Sequence, residues 1–189
     1  MPLILNNICK SFGEKKVLDH FSMRVEEGER VCILGPSGGG KTTLLNIIAG
    51  LTQPDSGEIE LPEGKISYIF QEYRLLPWLT AEENITSTTG CTKERAREIL
   101  TALELGGEAG SYPDAFSGGM QQRLSIARAI AYDSALILMD EPFKGLDPEL
   151  RERVIDYVDK CCVGRTVVLV THEKAESERM KCGKIYEMC

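Results

Sequence analysis

The sequence predicts an α/β fold: a parallel-sheet core, a small N-terminal antiparallel β subdomain and an inserted helical subdomain. Three observations predict it. A compact apolar run, Arg30-Val31-Cys32-Ile33-Leu34, passes through a glycine-rich turn straight into an amphipathic helical stretch. Two more runs, Ala135-Leu136-Ile137-Leu138-Met139 and Thr166-Val167-Val168-Leu169-Val170, are continuously apolar, as in strands covered on both faces. Between the first strand and these two, residues 72–132 turn helical in texture.

The elements follow in chain order. Residues 3–31 carry short β-type runs broken at Asn6-Asn7, Phe12-Gly13-Glu14 and Glu26-Glu27-Gly28-Glu29. Residues 42–49 form a helix with Leu44, Leu45, Ile47 and Ile48 on one side and Gly50 as its stop. Gly57-Glu58-Ile59-Glu60-Leu61 and Lys65-Ile66-Ser67-Tyr68-Ile69-Phe70 alternate, and both are expected in the small antiparallel sheet. Residues 93–105 form a helix with Ile99, Leu100 and Leu103 on its apolar face, ended by Gly106-Gly107. Residues 117–132 form another, with Leu124, Ile126, Ala127 and Ile130 inward. Asp147-Pro148 opens the helix between the last two strands, with Asp at the cap and Pro at the first position.

Composition bounds the function. The chain has 189 residues, 42% of them hydrophobic and 27% charged, as in an ordinary soluble domain. Its net charge of −7 argues against sequence-independent nucleic-acid binding, which needs an excess of Lys and Arg against phosphate. The longest apolar runs, 44–51 and 135–139, fall far short of the roughly 18 residues of a membrane span. Met1-Pro2-Leu3-Ile4-Leu5-Asn6 does not read as a signal peptide. The seven cysteines, at 9, 32, 91, 161, 162, 182 and 189, form no Cys-x-x-Cys pair. Neither a disulfide framework nor a zinc site is expected, and the thiols read as reduced and cytosolic. Cys161-Cys162 offers only two adjacent ligands, an incomplete metal site.

Gly35-Pro36-Ser37-Gly38-Gly39-Gly40-Lys41-Thr42 fits G-x-x-x-x-G-K-[ST], with a strand before it and a helix after it. Glycines let the backbone form a concave nest of N–H groups for phosphate oxygens, and the helix N-terminus adds a favourable dipole. Lys41 supplies charge to the β- and γ-phosphates and the Thr42 hydroxyl can ligate Mg²⁺; Thr43, next in the chain, is also expected among the nucleotide-binding residues. The core is therefore expected to be a P-loop NTPase. The strand 135–139 runs directly into Asp140-Glu141, at the sheet end where such folds hold ligands. One carboxylate can reach the metal and the next can orient a water.

These motifs, in this order, resemble those of the nucleotide-binding subunit of an ATP-binding-cassette (ABC) transporter, from Phe12 to His172. The resemblance implies that Phe12 stacks on adenine and that Gln71 contacts Mg²⁺ and senses the γ-phosphate. It further implies that Ser117, Gly118 and Gly119, in Phe116-Ser117-Gly118-Gly119-Met120-Gln121-Gln122, bind the γ-phosphate held by an opposite subunit. Gly145-Leu146-Asp147 resembles the dimer-contacting loop, and His172 matches the switch histidine. Taken alone, Phe12 is more often a core residue, Ser117 could be only a helix cap and His172 only a packed strand-end residue. Trp78, in Leu75-Leu76-Pro77-Trp78-Leu79, reads as core or as a partner surface.

Phe116 and Met120 depart from the family's signature Leu and Gln, but leave Ser117, Gly118 and Gly119 untouched. The segment from Gln71 to Thr80, the Ser-Gly-Gly-Met run and Asp140-Glu141-Pro142-Phe143 are similar to importers of the nitrate, sulfonate and taurine type. The chain stops soon after His172, so no appended regulatory domain is expected.

The resemblance thus implies one ATPase domain over 1–189, with the helical subdomain at about 72–132. Glu141, His172 and Gln71 are its catalytic residues, Thr42, Gln71 and Asp140 its metal ligands, and ATP and Mg²⁺ its cofactors. The expected partners are a second copy or a related ATPase subunit, and a multi-span membrane permease; the expected location is the cytoplasmic face of the cell membrane. The rival readings are a soluble ABC ATPase, for instance in iron–sulfur assembly, and a non-catalytic nucleotide-gated scaffold. Glu141 and His172 argue against the scaffold, and the importer-like segment 75–80 with Phe143 argues against the soluble enzyme.

Overall fold

The computed structural model describes residues 1–188, so Cys189 lies outside it. Contacts divide the chain into two compact units. The first comprises Met1–Tyr68, Ser134–Asp140 and the stretch from Val163 on; the second comprises Ile69–Asp133 and Glu141–Cys162.

The first unit holds two sheets. Strands β1 (Leu3–Phe12), β2 (Lys15–Val25) and β4 (Ser56–Glu60) form an antiparallel sheet in the order β2-β1-β4. The second sheet has the order β5-β6-β7-β3-β8, from β5 (Ile66–Ile69), β6 (Leu136–Asp140), β7 (Thr166–Thr171), β3 (Arg30–Leu34) and β8 (Lys184–Glu187). β3 pairs in parallel with both β7 and β8, and β6 with β7. Every residue of β6 and of β7 is buried, which explains their unbroken apolar runs. One sequence expectation is corrected here. The alternating segment 65–70 does not join the antiparallel sheet; Ile66–Ile69 forms the edge of the five-stranded sheet, beside β6. Alternation reports one wet face, and an edge strand of a mostly parallel sheet has one as well.

Helix α1 (Lys41–Ile48) buries Leu44, Leu45, Ile47 and Ile48. These pack into one core with Leu5, Ile8 and Leu18 of the hairpin and Val31, Ile33, Leu138 and Val168 of the larger sheet. The opposite face of β3 carries Cys32, fully buried. Its thiol is pushed up by a hydrogen bond with Cys182 and by burial, so it stays protonated. None of the six described cysteines is joined in a disulfide.

The second unit is helical: α2 (Ala81–Thr89), α3 (Lys93–Ala102), α4 (Gly118–Ala131) and α5 (Pro148–Cys161). α2, α3 and α4 pack against one another. The α4 and α5 starts are as expected: Ser117 caps Met120 N at 3.3 Å and Asp147 caps Leu150 N at 3.0 Å. α3 ends earlier than its apolar pattern, because Glu104 takes a positive φ of 57° and turns the chain. α2 is not announced by the apolar pattern, although it opens on a capping box: the Thr80 hydroxyl accepts from Glu83 N, and the Glu83 carboxylate accepts from Thr80 N at 2.9 Å. α6 (Lys174–Arg179) and β8 were also unread, being only 6 and 4 residues long. Among the described residues no helix is long and apolar enough to cross a bilayer.

Candidate nucleotide site

In the first unit the parallel register sets three chain segments side by side. Leu34 pairs with Thr171 and Asp140 with Val170, so β3, β6 and β7 end at the same edge. The glycine loop leaves β3 there, Asp140 closes β6, and His172 follows β7 with its side chain exposed. This is the carboxyl edge, where open α/β sheets bind ligands.

Two loop glycines are dictated by close approach. A Cβ on Gly35 would lie 2.2 Å from the Met188 carbonyl oxygen. One on Gly40 would lie 2.8 Å from the Val17 carbonyl oxygen, and Gly40 also takes φ 89°, the left-handed region. Pro36, Ser37 and Gly38 are exposed, Gly39 is half-buried, and Gly39 N closes the turn on Pro36 O at 3.2 Å. α1 begins at Lys41, immediately after the loop. The Lys41 side chain is only 5% exposed, and its ammonium donates to Gly35 O at 2.7 Å and Pro36 O at 2.8 Å. The loop's own carbonyls thus hold a desolvated cation inside the turn, where an anion would meet it. Thr43 is half-buried one position further along.

Thr42 Oγ1 donates to Asp140 Oδ2 at 2.6 Å, across 98 residues of sequence. Asp140 is 2% exposed. A hydroxyl and a carboxylate oxygen converging at the loop are hard donors, the set that suits Mg²⁺. Phe12, at the end of β1, is 54% exposed, with the Lys10 ammonium 5.5 Å from its ring centre. The ring is therefore a surface platform and not core.

The second unit carries the remaining expected residues. Glu141 takes φ 46°, is largely buried, and pairs with Lys144 Nζ at 2.7 Å. Ser117 and Gly118 are exposed and Gly119 half-buried at the start of α4, and Gln71 is exposed after β5. Three supporting residues were not picked out from sequence. Gln122 Nε2 donates to Pro142 O at 2.6 Å, tying α4 to the loop after Glu141. Arg123, its pKa lowered by burial, donates to Leu103 O at 2.8 Å and Glu104 O at 3.0 Å, and its Nε to Gly119 O at 3.3 Å. Lys144 supplies the cation on Glu141. Only the Glu141–Lys144 spacing of three was a sequence signal, and a weak one, because positive charges three residues from a carboxylate are common.

Segment 75–79 lies open. Trp78 is 69% exposed, Leu75, Leu76 and Leu79 are half-buried, and Phe143 is fully buried. Buried Asn84 fixes the segment's backbone: its Oδ1 accepts from Leu76 N at 2.9 Å, and its Nδ2 donates to Leu76 O at 3.0 Å and Leu79 O at 2.9 Å. The segment's backbone is thus held in one conformation, with Trp78 at the surface and the three leucines half-buried.

Comparison with known proteins accords with this geometry. A family model described as ABC transporter matches residues 18–144. The chain is 36% identical to a probable sulfate/thiosulfate import ATP-binding protein of Chlorella vulgaris, covering 94% of this chain and 83% of the relative. It is 38% identical to an aliphatic sulfonates import ATP-binding protein of Bacillus thuringiensis, covering 94% and 77%. It spans 55% of the length of a sulfate/thiosulfate import ATP-binding protein of Synechocystis. The solved dimeric structure of a bacterial ABC transporter cassette superposes with a TM-score of 0.88 at 34% identity, over 98% of this chain and 94% of that one. A post-hydrolysis state of the same cassette, bound to ADP and Pi, superposes with a TM-score of 0.86. With its glycine loop, its Thr42–Asp140 pair and its strand-end glutamate and histidine, the chain belongs to the ABC transporter family, as one of its ATPase cassettes.

Proposed function

We propose that this chain is the ATP-hydrolysing subunit of an importer for a small sulfate- or sulfonate-like anion, working on the cytoplasmic face of the membrane with a permease. The observation that carries the ATPase part is the Thr42–Asp140 hydrogen bond at the sheet's carboxyl edge. The relatives' import of sulfate, thiosulfate and sulfonates supports the substrate class, and the dimeric cassette supports a two-copy assembly. Residues 1–189 act as one ATPase domain, with the helical part at about 72–132.

In this reading Gly35, Pro36, Ser37, Gly38, Gly39, Gly40, Lys41, Thr42 and Thr43 cradle the phosphates, and Phe12 stacks on adenine. Thr42, Gln71 and Asp140 would hold Mg²⁺, and the ion would supply positive charge against the phosphates. Ser117, Gly118 and Gly119 of a second copy cover the γ-phosphate from the other side. Glu141 orients and deprotonates the attacking water, and His172 holds the γ-phosphate geometry. Phosphoryl transfer needs position and charge more than covalent chemistry, which is what this set provides. Loss of the γ-phosphate removes the bridge between the copies, so the dimer reopens and moves its membrane partner.

Phe12 stacks without reading base edges, so Phe12→Ala should weaken ATP by about 1–3 kcal/mol, the range for base–aromatic stacking. GTP should bind the unaltered protein nearly as well as ATP. Titration calorimetry measures both, and strong rejection of GTP would mean that another group reads the base.

The permease partner is expected to dock a short helix against the open apolar set around Leu76 and Trp78. Cells that depend on this chain for sulfate or alkanesulfonate uptake should lose uptake with Leu76→Glu. The purified variant should keep its basal ATPase and its melting temperature. A collapsed melting temperature would make Leu76 a packing residue; if the unaltered chain supports uptake of neither anion, the substrate class is wrong.

A further inference from the structure

The β1–β2 hairpin carries a second cluster of ligating side chains, in which Asp19 lines the same cavity as Gly39 of the glycine loop. Ile8 pairs with Phe21 and Lys10 with Leu18. β1 therefore advances two residues while β2 advances three, and Asp19 and His20 together oppose Cys9. This is a β-bulge, a device that re-aims side chains on an otherwise alternating strand. His20 adopts φ 49°, and its backbone N–H donates to Cys9 Sγ at 3.3 Å. The consequence is convergence: one donor atom from each of Cys9, Asp19 and His20 lies within 4.8 Å of the other two.

We propose that Cys9, Asp19 and His20 form a binding site for a borderline-soft divalent cation of the Zn²⁺ class. The sulfur, nitrogen and oxygen donors select that class over Mg²⁺ and Ca²⁺, which prefer oxygen alone. Tetrahedral zinc, with bonds of about 2.0–2.3 Å, places its ligand atoms roughly 3.3–3.8 Å apart. His20 Nε2 and Asp19 Oδ1 already stand 3.8 Å apart. The rest of the closure is about an ångström, within the rotamer freedom of surface side chains. Asp19 and His20 are exposed, giving the ion an entry path, and Cys9 is half-buried.

The scaffold is firm under the sulfur. β1 is the central strand of its sheet, and Cys9 lies opposite Ser56 of β4, its carbonyl accepting from Asp55 N at 2.9 Å. Three protein ligands leave the fourth position to water. Lys16, whose ammonium lies 2.5 Å from Asp19 Oδ1, is the competing cation. It is exposed, so it can leave the carboxylate when a divalent ion arrives. The bound ion ties β1 to β2 at the bulge. The cluster is invisible to local cysteine spacing because its ligands lie 10 and 11 residues apart and meet only through strand register.

The test is titration of the metal-free 189-residue chain with Co²⁺, a spectroscopic substitute for Zn²⁺, followed by back-titration with Zn²⁺. The expected result is one tetrahedral Co²⁺ per chain with a thiolate charge-transfer band, both displaced by Zn²⁺ but not by excess Mg²⁺. Losing an outer-shell partner alone costs about 10–100-fold in metal affinity, so losing a ligand should cost about 100-fold or more. Cys9→Ser should abolish the charge-transfer band. His20→Asn should weaken binding by about that factor while keeping the fold, since Asn also tolerates positive φ. Circular dichroism checks both variants, and if Cys9→Ser misfolds, His20→Asn decides. An unchanged Co²⁺ spectrum in His20→Asn, or no tetrahedral signal in the unaltered protein, overturns the site.

Discussion

Glu141→Gln should lower ATP turnover by about 10²–10⁴-fold while leaving ATP affinity within about twofold, because it removes the proposed proton acceptor and keeps the proposed phosphate cradle. That loss corresponds to roughly 3–5 kcal/mol of barrier. Glu141 is suited to the task by its position. It follows the last buried residue of β6, its backbone is held at φ 46°, and Lys144 anchors its carboxylate at 2.7 Å. A glutamine of the same size keeps the side chain's shape but cannot take a proton. ATP should then trap a long-lived dimer, seen by size-exclusion chromatography with ATP and Mg²⁺. Hydrolysis at the unaltered rate would show that Glu141 is not the base.

Lys41→Ala should act earlier, on binding itself. The ammonium is nearly buried and already directed into the loop by two carbonyls. Removing it leaves those carbonyls without their donor and the proposed triphosphate site without this cation. A charge-assisted hydrogen bond contributes roughly 1.5–3 kcal/mol, so ATP affinity should fall by about 10–150-fold. Calorimetric titration with ATP measures it, and equal affinity in both proteins would refute the phosphate-loop assignment. The two variants separate the roles: one binds without turnover, the other binds poorly.

The elements around the glycine loop were legible because their signals are local. A strand, a turn that needs glycine and an amphipathic helix occupy consecutive residues, and each reads from its own neighbours. The caps at Ser117 and Asp147 are of the same kind, each reaching three residues along the chain. The box at Thr80 and Glu83 is equally local, but α2 carries little apolar periodicity behind it to mark a helix. Segment 65–70 failed for a different reason. Its alternation was read correctly as a half-wet strand, but alternation does not say which sheet supplies the dry face.

The sequence by itself determined the chemical inventory: a phosphate loop, paired carboxylates at a strand end, a glycine-opened helix and a histidine after the last long buried strand. It also set the charge balance and the absence of any run long enough for a membrane helix. Tertiary structure decided which of these groups meet. Thr42 reaches Asp140 only because β3, β7 and β6 share one parallel register, and Cys9 meets Asp19 and His20 only because a bulge shifts β2 by one residue. It also decided that Trp78 and Phe12 lie at the surface while Phe143 is buried. The physical reason is that backbone preferences act over three or four residues, whereas register, burial and side-chain convergence depend on strands and helices packed from distant parts of the chain.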